Sequence, residues 1–163
     1  MKISVIGAGN VGATTAMRLA QEGAGQIVLV DVVKGLACGK AFDLEDARAA
    51  IKRDYSIEGT DDFKRIKDSD IVVVTAGLAR KPGMTREELL AKNTAILKDV
   101  AKSIKELTPS AIIIIVTNPL DLMTYFAVKT LGFKQNKIIG MGVSLDAARF
   151  ANLISKELNV PVT

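Results

Sequence analysis

Short apolar runs alternate along the chain with longer stretches whose apolar residues recur at helical spacing. Residues 3–6, 27–30, 71–74 and 111–116 predict strands, with a weaker strand at 55–58 and a short one at 137–140. Between them, 11–22, 35–50, 85–107, 119–131 and 145–159 predict helices. Most of the strands are continuously apolar instead of alternating, the pattern expected where helices cover both faces of a sheet. The order of elements predicts an α/β fold, a parallel sheet with right-handed crossovers. No repeat, low-complexity segment or linker interrupts it, so residues 1–163 are expected to form one domain. Residues 159–163 read as the start of a further extended segment, broken off in mid-pattern.

Composition narrows the function classes. At 163 residues the chain fits one domain, and surface scaling predicts that about 69% of the unfolded chain's surface is buried on folding. Hydrophobic residues at 48% and charged residues at 25% exclude global disorder. There is no histidine, which removes the commonest general base and metal ligand. The one cysteine, Cys38, excludes an intrachain disulfide and a thiolate zinc site. Lysine and arginine (22) exceed aspartate and glutamate (18) by four, and the charges are interleaved. With two Tyr, five Phe and no Trp, the chain offers no stacking platform for nucleic acid. The apolar run 111–116 is too short to cross a bilayer, and a strand beginning at Lys2 leaves no room for a signal peptide. A soluble cytoplasmic chain with neither nucleic-acid nor membrane partners is the expectation.

Four constellations carry chemistry. Gly7-Ala8-Gly9-Asn10-Val11-Gly12 is a G-x-G-x-x-G set between a strand and a helix. Gly7 permits the tight turn, Gly9 lets backbone approach a pyrophosphate, and Gly12 lets the helix pack on the strand. Asp31 follows at the end of the second strand, where it accepts from an adenosine ribose and repels a 2′-phosphate, favouring NAD. With this motif the sheet becomes a doubly wound Rossmann fold of about six strands in the order 3-2-1-4-5-6. A loop at 77–86 then leads into the long helix through Thr85 and Glu88, a capping box. Arg86 falls in that helix's first turn, against the dipole, as either a carboxylate clamp or part of a solvated basic loop. Asn118, before Pro119, either contacts a ligand or closes the turn. Asp146 and Arg149, three apart, are either a base-orienting carboxylate with a substrate-binding guanidinium or an ordinary helix ion pair.

Taken together, these stretches resemble the lactate/malate dehydrogenase family. The likeness rests on residues 5–12, 76–93, 116–121 and 145–150, in the family's order. It implies cofactor contacts from Gly7, Gly9, Asn10, Val11, Gly12, Asp31, Thr75, Ala76, Gly77, Asn93, Val116 and Asn118. The run 79–86 resembles the malate-specific members, in which Arg80 reads the second carboxylate of malate or oxaloacetate. Lactate-specific members carry an uncharged residue there. The resemblance further implies that Arg86 polarises the ketone, Arg149 pairs with the C1 carboxylate, Asn118 contacts substrate and nicotinamide, and Asp146 partners the catalytic histidine. In the family that histidine lies in a Gly-x-His-Gly motif beyond the last helix, which this chain does not reach. Asp46 stands where many members have a histidine, and Gly142-Val143-Ser144 replaces a usual Ala-Gly-Val.

The expectation is therefore the NAD domain of a malate dehydrogenase, lacking the carboxyl-terminal substrate domain, able to bind NAD but inactive alone. The alternatives are the corresponding domain of a lactate dehydrogenase, disfavoured by Arg80, and a dinucleotide-binding module without chemistry, favoured by the absence of histidine. Apolar surface left uncovered by a missing partner domain also implies self-association into a homo-oligomer.

Overall fold

Six apolar runs pair edge to edge in the computed structural model, which describes residues 1–132 and 134–162. They are β1 (Lys2–Ile6), β2 (Gln26–Val30), β3 (Ile57–Thr60), β4 (Ile71–Val74), β5 (Ile112–Ile115) and β6 (Ile138–Gly140). All five pairings are parallel and the order is β3-β2-β1-β4-β5-β6, as predicted. The helices are α1 (Asn10–Gln21), α2 (Leu36–Asp46), α3 (Arg48–Ile51), α4 (Arg86–Leu107), α5 (Leu120–Leu131) and α6 (Val143–Leu158). None of the helices in the described residues is long and apolar enough to cross a membrane.

Successive strand residues point to opposite faces, so a continuously apolar strand feeds two cores. In β2, Ile27 and Leu29 join Ala16 and Ala20 of α1 and Ala37 and Ala41 of α2. Val28 and Val30 belong to the opposite layer, with Leu97, Val100, Ala101 and Ile104 of α4 and Met123 and Ala127 of α5. Alanines on α1 and α2 bring those helices close to the sheet. The capping box of α4 forms as predicted: Thr85 Oγ1 accepts from Glu88 N at 3.1 Å, and Glu88 Oε2 accepts from Thr85 N at 2.9 Å.

The boundaries differ in instructive places. The predicted helix 35–50 divides at Ala47 into α2 and α3. There the Arg48 guanidinium reaches back to the carbonyls of Glu45 (2.9 Å) and Tyr55 (3.0 Å). The Tyr55 carbonyl is engaged by Arg48 instead of the sheet, its hydroxyl donates to Leu44 O, and the strand predicted at 55–58 is β3 at Ile57–Thr60. The last helix starts at Val143, two residues before the predicted start. Residues 160–162 form no strand, and Thr163 lies outside the described residues.

Coverage of the sheet thins toward β6. No residue of α6 is buried, and Phe150 (65% exposed), Leu153, Ile154 and Leu158 leave an apolar stripe open at helical spacing. The accessible surface is 10187 Å². A compact monomer of this mass has about 7,900 Å². The buried fraction is therefore roughly 60%, below the 69% expected from length alone.

Candidate functional site

The carboxyl ends of β1, β2 and β4 meet where the strand order reverses, the position at which open α/β sheets take ligands. β1 hands the chain to Gly7, whose φ of +105° is open to glycine and strained for other residues. Gly9 is the N-cap of α1, and the first amide with a helical partner is Ala13, which donates to Gly9 O at 2.9 Å. The amides of Asn10, Val11 and Gly12 thus lie in the first turn, where helix donors lack intrahelical acceptors and the dipole favours an anion. Gly12 presses on the turn so closely that a Cβ there would stand 1.8 Å from Gly7 O. A Cβ on Gly9 would meet nothing within 4 Å. Gly9 borders a cleft of about 490 Å³, so this cradle is space that a side chain would fill.

Asp31, just past β2, closes the turn from the other side. Its Oδ2 accepts from Ala8 N at 2.6 Å and its Oδ1 from Val33 N at 2.9 Å. Thr75, after β4, sets its Oγ1 3.1 Å from both Ile6 O and Gly7 O. Gly7, Gly9, Asp31, Thr75, Ala76 and Gly77 line the cleft together. An anion-favouring helix start, an open glycine and a fixed carboxylate on a cleft of this size fit a dinucleotide.

Other expected cofactor residues do not line this cleft. Asn10 borders a separate hollow with Lys40 and Asp43, and the Val11 side chain is 57% exposed. Val116 is half-buried after β5, its amide donating to Val74 O at 2.9 Å. Asn93 is fully buried, with its side chain engaged by backbone. Sequence reasoning missed Val33, Leu36, Phe63, Ile96, Asp99 and Ser103, which also line the cleft. Two valines directly after Asp31, at a strand end, were a readable signal; Phe63, Ile96 and Ser103 belong to no motif. Thr117 was also missed: its buried hydroxyl donates to Ala76 O at 2.7 Å and braces the loop after β4.

Arg80, Arg86 and Asn118 share a second hollow of about 440 Å³, walled by Glu87, Leu89, Leu90, Pro119 and Leu122. Arg80 Nε donates to Met84 O at 3.0 Å, which anchors the guanidinium at its root. The Asn118–Pro119 peptide bond is cis. Asp146 and Arg149 do not line this hollow. They bond to each other at 3.1 Å on exposed α6, as an i,i+3 ion pair. Away from the site, the Arg65 guanidinium holds the Glu58 carboxyl below its ordinary 4.5, chiefly by hydrogen bonding, against a smaller opposing effect of burial. Among the described residues no three His, Cys, Asp or Glu side chains converge as a metal site.

A glycine turn between β1 and α1, an acid after β2 and a cleft at the reversal of strand order define a dinucleotide-binding domain of the doubly wound class. Residues 1–140 match the family model described as lactate/malate dehydrogenase, NAD binding domain. The chain belongs to that family. It is 55% identical over 158 residues to a malate dehydrogenase of Methanosarcina acetivorans, an alignment covering 97% of this chain and 52% of the relative. Among solved structures, the apo malate dehydrogenase of Picrophilus torridus superposes with a TM-score of 0.92 at 47% identity, over 99% of this chain and 51% of the other. The malate dehydrogenase of Plasmodium falciparum in complex with NADH does so with a TM-score of 0.88 at 36% identity, over 99% and 50%. The chain spans about half the length of the curated relatives it matches.

Proposed function

We propose that this chain is the NAD-holding part of a malate dehydrogenase, in which hydride passes between malate and NAD. The observation that supports the malate reading is the hollow that Arg80, Arg86 and Asn118 share, two guanidiniums and an amide able to bind carboxylates beside the single acid Glu87. A lactate-specific site has one carboxylate fewer to bind, and Arg80 would then have no task.

Bound NAD would supply the nicotinamide carbon that accepts or returns the hydride. The chain's own residues hold and orient. The first-turn amides of α1 bind pyrophosphate, and Asp31, already fixed by Ala8 and Val33 N–H, accepts from the adenosine ribose hydroxyls. Its charge excludes a 2′-phosphate. Arg80 takes the second carboxylate, Arg86 polarises the ketone oxygen, Asn118 donates to substrate, and Arg149 takes the first carboxylate when α6 is brought against the site. Asp146 orients a histidine that removes the hydroxyl proton, and this sequence contains no histidine. A positioned base is worth about 10²- to 10⁴-fold, so the chain alone binds NAD and turns malate over only in trace. Its partners are NAD(H), malate or oxaloacetate in the complete enzyme, and a second copy, in the cytoplasm.

Calorimetric titration with NADH and NADPH, followed by steady-state assay with oxaloacetate and NADH, tests this. Saturable NADH binding with turnover far below about one per second, the low end for working enzymes, is the expected result. Equal binding of both cofactors, or of neither, refutes the NAD reading; turnover at or above that rate refutes the inactive one.

A further inference from the structure

Asn93 sits in the middle of α4 at 1% exposure, and its amide faces backbone from two loops. Oδ1 accepts from Leu78 N at 2.8 Å, while Nδ2 donates to Asn118 O at 2.8 Å and to Leu78 O at 3.4 Å. Both amide hydrogens are therefore used within the protein, and the burial leaves no face for a ligand. The loop after β4 comes near enough that a Cβ on Gly77 would stand 2.6 Å from Thr117 Cγ2 and 3.3 Å from Asn93 Oδ1. One buried side chain thus ties the loop after β4, which leads to Arg80, to the loop after β5, which carries Asn118.

We infer that Asn93 is a positioning residue, a clasp that sets the spacing of these two loops and acts on cofactor and substrate only through them. The inference rests on the NAD reading above. In a doubly wound sheet each half holds one nucleotide. Asp31 assigns the β1–β3 half to the adenosine, so the nicotinamide falls to the β4–β6 half that Asn93 clasps. An apolar replacement would leave Leu78 N–H and Asn118 C=O without partners at the place where the nicotinamide and the substrate meet. The glycine turn, tied by Asp31 and Thr75, would keep its own bonds.

The test compares NADH with ADP-ribose, which lacks only the nicotinamide, by calorimetry on the whole chain. Asn93→Ala is expected to weaken NADH about ten-fold, the cost of a lost buried hydrogen bond, and to leave ADP-ribose within two-fold. Asn93→Asp keeps the acceptor for Leu78 N–H but loses the donor to Asn118, and is expected to weaken NADH at least as much. Should either variant fail to fold, Asn93→Ser keeps a polar group one bond too short to span both loops, with the same selective loss expected. Parallel loss of NADH and ADP-ribose, or an unchanged NADH affinity, overturns the clasp and leaves the NAD reading intact. A wild-type chain that binds neither compound overturns that reading and this inference with it.

Discussion

Gly12→Ala sets helix propensity against the packing of the turn. In the first turn of α1, alanine favours the helix over glycine by at most about 1 kcal/mol, the interior value. The new methyl, however, would stand 1.8 Å from Gly7 O, 3.0 Å from Gly7 C and 2.7 Å from Thr75 Oγ1. An ordinary contact needs about 3.4 Å, so α1 or the turn must retreat by about 1.6 Å. Overpacking costs about 1–3 kcal/mol, and the obstacle here is backbone, which places the cost near the top of that range. The net loss is about 2 kcal/mol, a fall in Tm of about 4–8 °C for a domain of this size. The retreat also carries the first-turn amides away from the cleft, and losing one charge-assisted hydrogen bond weakens NADH about ten- to hundred-fold. Gly9→Ala is the control that separates the two effects. Its φ of −67° suits any residue and its Cβ meets nothing, so Tm should stay within about 1 °C. Its methyl enters the cleft, and NADH should weaken all the same. Thermal melts and calorimetric titration of both variants decide the matter. A Gly12→Ala chain as stable and as tight-binding as wild type would refute the reasoning, as would a Gly9→Ala chain that melts early.

Asp31→Ser with Val32→Arg should move the NADH-to-NADPH preference at least about ten-fold toward NADPH, read by fluorescence titration. Both affinities should fall, because Ala8 N–H loses its carboxylate acceptor. Glu58, whose carboxyl titrates below its ordinary 4.5 beside Arg65, contributes stability that is complete above that value and disappears as pH falls through the lowered one. Urea midpoints from pH 7 to 3 should therefore drop less in Glu58→Gln than in wild type, and equal drops would contradict the pair's role. Phe150→Glu with Leu153→Lys should reduce concentration-dependent association in sedimentation velocity, since both side chains lie on the open stripe of α6. Unchanged association would place the contact elsewhere.

The sheet was legible because its strands carry apolar side chains on both faces, and only a parallel sheet between two helical layers asks for that. The glycine turn and the α4 capping box were legible because each is a local bargain between neighbours in sequence. Legibility failed where a residue answers to something distant. The break at Ala47 comes from Arg48 reaching carbonyls of Glu45 and Tyr55, a choice that helical periodicity does not record. Asn93 was expected at the cofactor because it lies within a resembling stretch, but the structure buries it beneath two loops. Phe63, Ile96 and Ser103 wall the cleft by virtue of the fold alone. Asp146 and Arg149 showed the opposite limit. Their spacing allowed two roles, and an exposed ion pair at 3.1 Å does not choose between them.

The bare stripe of α6 has a consequence for how tightly an acid can be held. A helix of 16 residues with no buried side chain is near the length at which helices in water are marginal. Its amides should exchange with solvent through local opening, at a free energy well below that of the sheet. Arg149 rides on this element, so in the role proposed for it a captured carboxylate would spend part of its interaction on ordering the helix. Any surface that first covers Phe150, Leu153 and Leu158 removes that entropic burden before the ligand arrives. Coverage and acid binding would then reinforce one another through reduced fluctuation alone, with no change in the average fold.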